Sequence, residues 1–150
     1  GTSDMSKIAR RKLARLLYQD AQDDLYSAEN QSLLREIVAM MEENIENDPS
    51  NNANFRIWFK ALRALDTERE TISSELDRVF AKLEKWTSAE NTSADAYYYK
   101  YIVKFIQAFE DGVLDTSDKV QSELNDLLRD LQNASEDALK ATIPFEWFSD

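Results

Sequence analysis

The chain has 150 residues, a formal net charge of −11, 43% hydrophobic and 31% charged residues, which suits one domain with a real core and a mostly helical fold. It contains no His and no Cys, which excludes zinc sites, disulfide frameworks, thiol nucleophiles, haem attachment and every triad built on imidazole. Two Gly and two Pro leave little material for glycine-rich phosphate loops or a strand-rich fold.

Apolar spacing and capping signals predict six helices. The first, over residues 4–26, carries Ile8, Leu13, Leu16, Leu17 and Leu25 on its apolar side. The second, over 29–46, steps through Leu34, Ile37, Val38, Met41 and Ile45 before the breaker Asn47-Asp48-Pro49-Ser50-Asn51-Asn52. A short third helix covers 53–65, and Thr67 with Glu70 forms a capping box for a fourth that ends at Trp86. A polar break leads to Ser93, a cap for a fifth helix over 94–111, which Gly112 stops. The sixth begins near Asp115 or Thr116 and runs to about Ala141, with a seam through Val120, Leu124, Leu127, Leu131, Ala134 and Ala138. Residues 1–4 read as an expression remnant or disordered start, 5–143 as the helical domain, and 144–150 as a tail or the start of a following segment.

The helices differ in kind. The second, fourth and sixth have one apolar stripe and a charged back. The third (Phe55, Ile57, Trp58, Phe59, Leu62, Leu65) and fifth (Tyr97 to Tyr99, Tyr101 to Val103, Phe105, Ile106, Phe109) are apolar over most of their circumference and need neighbours on several sides. A shift of 44 residues carries Phe55, Arg56, Trp58, Phe59, Lys60 and Ala64 onto Tyr99, Lys100, Ile102, Val103, Lys104 and Ala108. A shift of 42 carries Leu34, Ile37, Val38 and Met41 onto Leu76, Val79, Phe80 and Leu83, and Leu13, Leu16 and Leu17 onto Phe55, Trp58 and Phe59. Hairpins repeating at this period are the signature of an α-solenoid. The expected fold is all-α: six helices in three stacked antiparallel hairpins, a short right-handed superhelical array.

On Trp58, Leu62, Leu76, Phe80 and Leu83 the chain resembles a tetratricopeptide-like helical-repeat region, over about residues 5–141. It departs from that family in the length of its period, in having Leu62 and Leu76 where small residues stand, and in having no Pro after Trp86. The Asp48-Pro49-Ser50-Asn51 turn running into Phe55-Arg56-Ile57-Trp58-Phe59 is similar to such regions in large bacterial multi-domain proteins of nucleotide-hydrolase or defence type. Pro144-Phe145-Glu146-Trp147-Phe148 is similar to a segment that follows them. The resemblance implies a fragment whose catalytic domain lies elsewhere.

Charge is unevenly spread: residues 1–17 carry five cations against one acid, and residues 18–50 one cation against nine acids. The overall sign argues against nucleic acid and anionic lipid as partners. No apolar run spans a bilayer or forms a signal peptide, so the expected setting is cytoplasmic. With no His or Cys, catalysis would fall to carboxylates. The pairs Glu43/Glu46 and Glu123/Asp126 have the spacing used by all-helical, Mg-dependent nucleotide hydrolases, and equally that of solvated helix backs. Asp111, Asp115 and Asp118 around Gly112 are out of register for a calcium loop and read as a helix–helix turn. The run Tyr97-Tyr98-Tyr99-Lys100-Tyr101 fits base stacking in composition, but successive helical positions diverge by about 100°, so core packing is expected. Lys7, Arg11 and Arg15 form a turn-spaced cationic row that reads as a phosphate or acidic-peptide patch or as a solvated outer face.

The expectation is therefore a non-catalytic interaction scaffold with no cofactor and no metal. It binds a protein, an acidic peptide or other domains of the same chain through the concave face. Arg56, Lys60, Arg63, Lys100 and Lys104 are its candidate partner-binding residues, and pairing of these cations with acids on adjacent helices is the competing account.

Overall fold

The computed structural model describes residues 4–21, 24, 26–66, 69–110 and 112–134. Six helices dominate it: α1 (Asp4–Ala21), α2 (Ala28–Asn47), α3 (Asn52–Ala64), α4 (Arg69–Thr87), α5 (Ala94–Gln107) and α6 (Asp118–Ala134). The all-α class and the six predicted helices are present. The chain clusters into two compact units, one of Gly1–Ile72 with Ser88–Ser93, the other of Ser73–Thr87 with Ala94–Asp150.

In the first unit the local signals act as written. Ser27 caps α2 by accepting from the Asn30 amide at 3.1 Å. The Asp48 amide closes the helix on Asn44 O at 2.9 Å, and Asn51 opens α3 by accepting from the Ala53 amide at 2.9 Å. The predicted breaker is thus a corner capped on both sides. Two buried amides set the helix directions. Gln31, in the first turns of α2, reaches Ala64 O and the Asp66 amide beyond the end of α3, while Asn44, near the end of α2, donates to Lys7 O at the start of α1. Both neighbours of α2 therefore run antiparallel to it. The core is Leu34, Ile37, Val38, Met41 and Ile45 against Phe55, Trp58, Phe59 and Ala61, and α3 touches both α1 and α2, as its wide apolar surface requires. The loop before α5 joins this unit through the Ser93 amide on Pro49 O at 2.7 Å and the Ser93 hydroxyl on Asn52 Oδ1.

In the second unit α5 packs on α6, and Tyr99, Ile102 and Val103 are buried with Leu124 and Leu131. The α4 helix is tied antiparallel to α5 by the Tyr97 hydroxyl on Thr87 O and by Gln107 Nε2 on Asp77 Oδ1, both at 2.9 Å.

Two expectations are corrected. The fifth helix ends at Gln107, four residues before the predicted stop. Phe109–Glu110 (β1) and Val113–Leu114 (β2) pair antiparallel, with Phe109 opposite Leu114 and Glu110 opposite Val113. The intervening sequence is Asp111-Gly112, the dipeptide favoured in two-residue hairpin loops, and Gly112 holds φ +78°. The Asp115 amide on Ala108 O at 2.7 Å ties the chain together just beyond the short ladder. Gly112 therefore turns a hairpin rather than terminating a helix. The second correction concerns α1: among its described side chains Ala14 is the buried one, while Leu13 and Leu16 of the predicted apolar side are exposed. The capping box at Thr67 and the aromatic stretch from Pro144 to Phe148 lie outside the described residues, as does the predicted end of the sixth helix.

Candidate functional site

On α3 the candidate cations share one face. Positions 56, 60 and 63 follow the i, i+4, i+7 spacing of a helical stripe, and Arg56, Lys60 and Arg63 are all exposed. With Asn52 they are the four exposed residues of this helix; its remaining circumference is buried or half-buried. Lys60 Nζ lies 5.8 Å from the centroid of the Tyr18 ring on α1, a cation–π distance that holds the ammonium at the edge of the unit. The stripe is thus a cationic ridge on a hydrophobic base, placed there because Phe55, Trp58 and Phe59 on the other faces pull the helix into the core.

The matching pair on α5 is held differently. Lys104 Nζ sits 3.6 Å from Glu123 Oε2 on α6 and 4.6 Å from the Phe80 ring centroid. Lys100 lies 5.8 Å from the same ring, with Nζ 3.5 Å from Thr87 Oγ1. Both are half-buried and turned into contacts of their own unit. For Lys104 this is the pairing with a neighbouring helix's acid that competed with partner binding at the sequence level. Each row belongs to its own unit: the structure brings Arg56, Lys60 and Arg63 together, and Lys100 with Lys104.

Glu43, from one candidate acidic pair, is exposed and bridges to Arg10 at 2.8 Å. Glu123 takes Lys104, and Asp126 is 3.4 Å from Arg129. Among the described residues no group of three or more acidic side chains converges to hold a metal ion. Asp115 instead accepts from the Ser117 amide at 2.9 Å ahead of α6, and that hydrogen bond, with a second from the Ser117 side chain, holds its carboxyl below the usual value. Among the described residues no helix is long and apolar enough to cross a membrane.

The tyrosine run divides as helical geometry dictates. Tyr99 is buried, and Tyr97 spends its hydroxyl on Thr87 O. Tyr101 begins a ladder through Phe105 to Phe109, with centroids 6.0 and 5.3 Å apart, and burial pushes its phenol above the ordinary value. Of the first helix's cationic row, Lys7 and Arg11 are half-buried and Arg15 is exposed.

Sequence reasoning missed two features. The Trp58 indole donates to Glu42 Oε2 at 3.1 Å, which joins the centre of α3 to α2, and Gln31 clamps the far end. Both are polar residues facing inward on otherwise apolar seams, a pattern that spacing alone does not separate from solvent-facing positions. No known protein family, curated protein or solved structure matches the chain.

Proposed function

We propose that the chain is a non-catalytic protein–protein interaction scaffold, a short right-handed α-solenoid of three stacked hairpins that takes an acidic peptide along the exposed stripe of α3. The observation that carries this reading is the restriction of exposure on α3 to Asn52, Arg56, Lys60 and Arg63. A helix otherwise enclosed by its neighbours presents solvent with three cations in a row, in a protein whose net charge is −11. Repeat register supports the stacked arrangement, since Phe55, Trp58, Phe59 and Ala64 are buried and so are their partners at a shift of 44, Tyr99, Ile102, Val103 and Ala108. Lys100 and Lys104 are half-buried and would contribute to binding only by leaving Phe80 and Glu123.

Exposed charge pairs are each worth about 0.2–1 kcal/mol, so binding should be roughly micromolar and weakened by salt. The test is fluorescence anisotropy of a labelled, glutamate-rich peptide with the full chain, its K60E/R63E variant and its K104E variant. The reading requires loss of binding in K60E/R63E with helical circular dichroism and cooperative unfolding retained, and near-normal binding in K104E. Equal binding by the wild type and K60E/R63E refutes it.

A further inference from the structure

The α1 helix turns part of its apolar side to solvent. Leu13 and Leu16 are 48% and 58% exposed, while Ala14 is fully buried. Ala9, Leu13 and Leu16 fall at i, i+4, i+7, so they form one apolar stripe on the side turned away from α2 and α3. Lys12 and Arg15 stand exposed along one flank, and among the described residues neither has a carboxylate partner; on the other side Arg10 is occupied by Glu43. The helical array of the proposed function requires a polar outer face wherever it meets solvent, and this face is apolar with a basic rim.

The internal repeat says what kind of element covers such a face. At a shift of 42, Leu13 and Leu16 fall on Phe55 and Trp58, both fully buried in α3, a helix packed against α2. α2 has one apolar stripe and carries five Glu against one Arg, and its Glu42 accepts the Trp58 indole proton. We infer that the Leu13/Leu16 face of α1 docks an acidic amphipathic helix of a partner, as α2 docks on α3. Leucines supply the apolar contact, and Lys12 and Arg15 meet the partner's carboxylates. A second copy of this chain fits poorly, because α1 against α1 sets Lys12 and Arg15 against themselves. An anionic bilayer also fits poorly, since the chain carries a net charge of −11. This inference rests on the helical-repeat reading but not on peptide capture by α3.

The experiment uses a fluorescent peptide with the sequence of residues 28–47 and a control in which its glutamates are lysines. Each is titrated with the full chain and with the L13Q/L16Q, K12E/R15E and K60E/R63E variants, following anisotropy and the peptide's gain in helicity. The wild type should bind the acidic peptide and make it helical. L13Q/L16Q and K12E/R15E should each weaken binding by about tenfold or more, as expected for central contacts, with unchanged melting temperatures because the altered side chains are exposed. K60E/R63E should bind normally, which separates this face from the α3 stripe. The lysine control should bind at least about tenfold more weakly than the acidic peptide. Equal binding by wild type and L13Q/L16Q overturns the proposal, because the peptide is then exchanging with the chain's own α2. No binding, or equal binding of the control, also overturns it. So does a wild-type dimer in sedimentation that L13Q/L16Q dissolves, or a Leu13-dependent attachment to phosphatidylserine vesicles without peptide binding.

Discussion

Gln31 shows how one buried amide can organise a helix pair. Its Nε2 donates to Ala64 O at 3.2 Å and its Oε1 accepts from the Asp66 amide at 2.8 Å, so it satisfies both backbone groups where α3 ends. Replacing it with Leu keeps the volume but strips both partners, and orphaned buried groups cost about 1–3 kcal/mol. The Q31L variant should therefore unfold at lower urea by that amount, with an unchanged m-value; a neutral result would mean that water replaces the amide. Asp48 makes a smaller, pH-dependent contribution. The Ser50 hydroxyl, 2.6 Å away, is the main cause that lowers its carboxyl pKa from 3.8, against the opposing effect of burial; the Ser50 amide and Lys7 assist. A folded value below the unfolded one means the carboxylate stabilises the fold above the unfolded pKa, and this is lost as pH falls through the lowered value. In S50A the Asp48 titration, followed by NMR, should move up towards 3.8, and the acid limb of stability should flatten.

At the scale of elements, burial separates helices that look alike in sequence. Among the described side chains of α1 only Ala14 is buried, whereas α2 buries Gln31, Leu34, Ile37, Val38, Met41, Asn44 and Ile45. Local opening free energy follows buried contact, so α1 amides should exchange with deuterium at least about tenfold faster than those of α2. Comparable protection in both helices would show that Ala14, the Arg10–Glu43 bridge and the Asn44 and Lys60 contacts hold α1 as firmly as the wider buried seam holds α2. The hairpin depends on its turn. An L-residue at the Gly112 φ of +78° is strained even though a Cβ there meets nothing within 4 Å, so G112A should cost about 1 kcal/mol and G112N less. A smaller loss in G112N than in G112A, measured by denaturation, identifies backbone conformation as the cause. Asp111-Gly112 was legible in the sequence as a turn. Reading it as a helix stop rather than a hairpin came from following the apolar periodicity through Phe109.

For the whole molecule, the carboxylate excess and its arrangement lead to one expectation about metals. Of the candidate pairs Glu43, Glu46 and Asp126 are exposed and Glu123 is half-buried, and Glu43, Glu123 and Asp126 each face a cation. Millimolar Mg²⁺ or Mn²⁺ should therefore move the melting temperature by less than about 1 °C, whereas a preformed site would raise it by several degrees through preferential binding to the folded state. A rise of that size would favour the helical nucleotide-hydrolase alternative.

The sequence by itself determined the six helices, the corner at Asp48–Asn51, the thick apolar girth of α3 and α5, and the spacing that aligns Arg56, Lys60 and Arg63. All of these are local properties of period, cap and composition, which a chain carries wherever its neighbours lie. Tertiary structure decided which stripe of each helix faces inward. On α1 the leucines and the cations both have helical spacing, and packing against acidic α2 seats Ala14 and Arg10 inward and leaves Leu13 and Leu16 in water. On α3 and α5 the matching cations have the same spacing, yet one row meets solvent while the other lies over Phe80 beside Glu123. Which of two amphipathic faces is buried depends on the charge and shape of the opposing helix, and that is set between elements rather than within one.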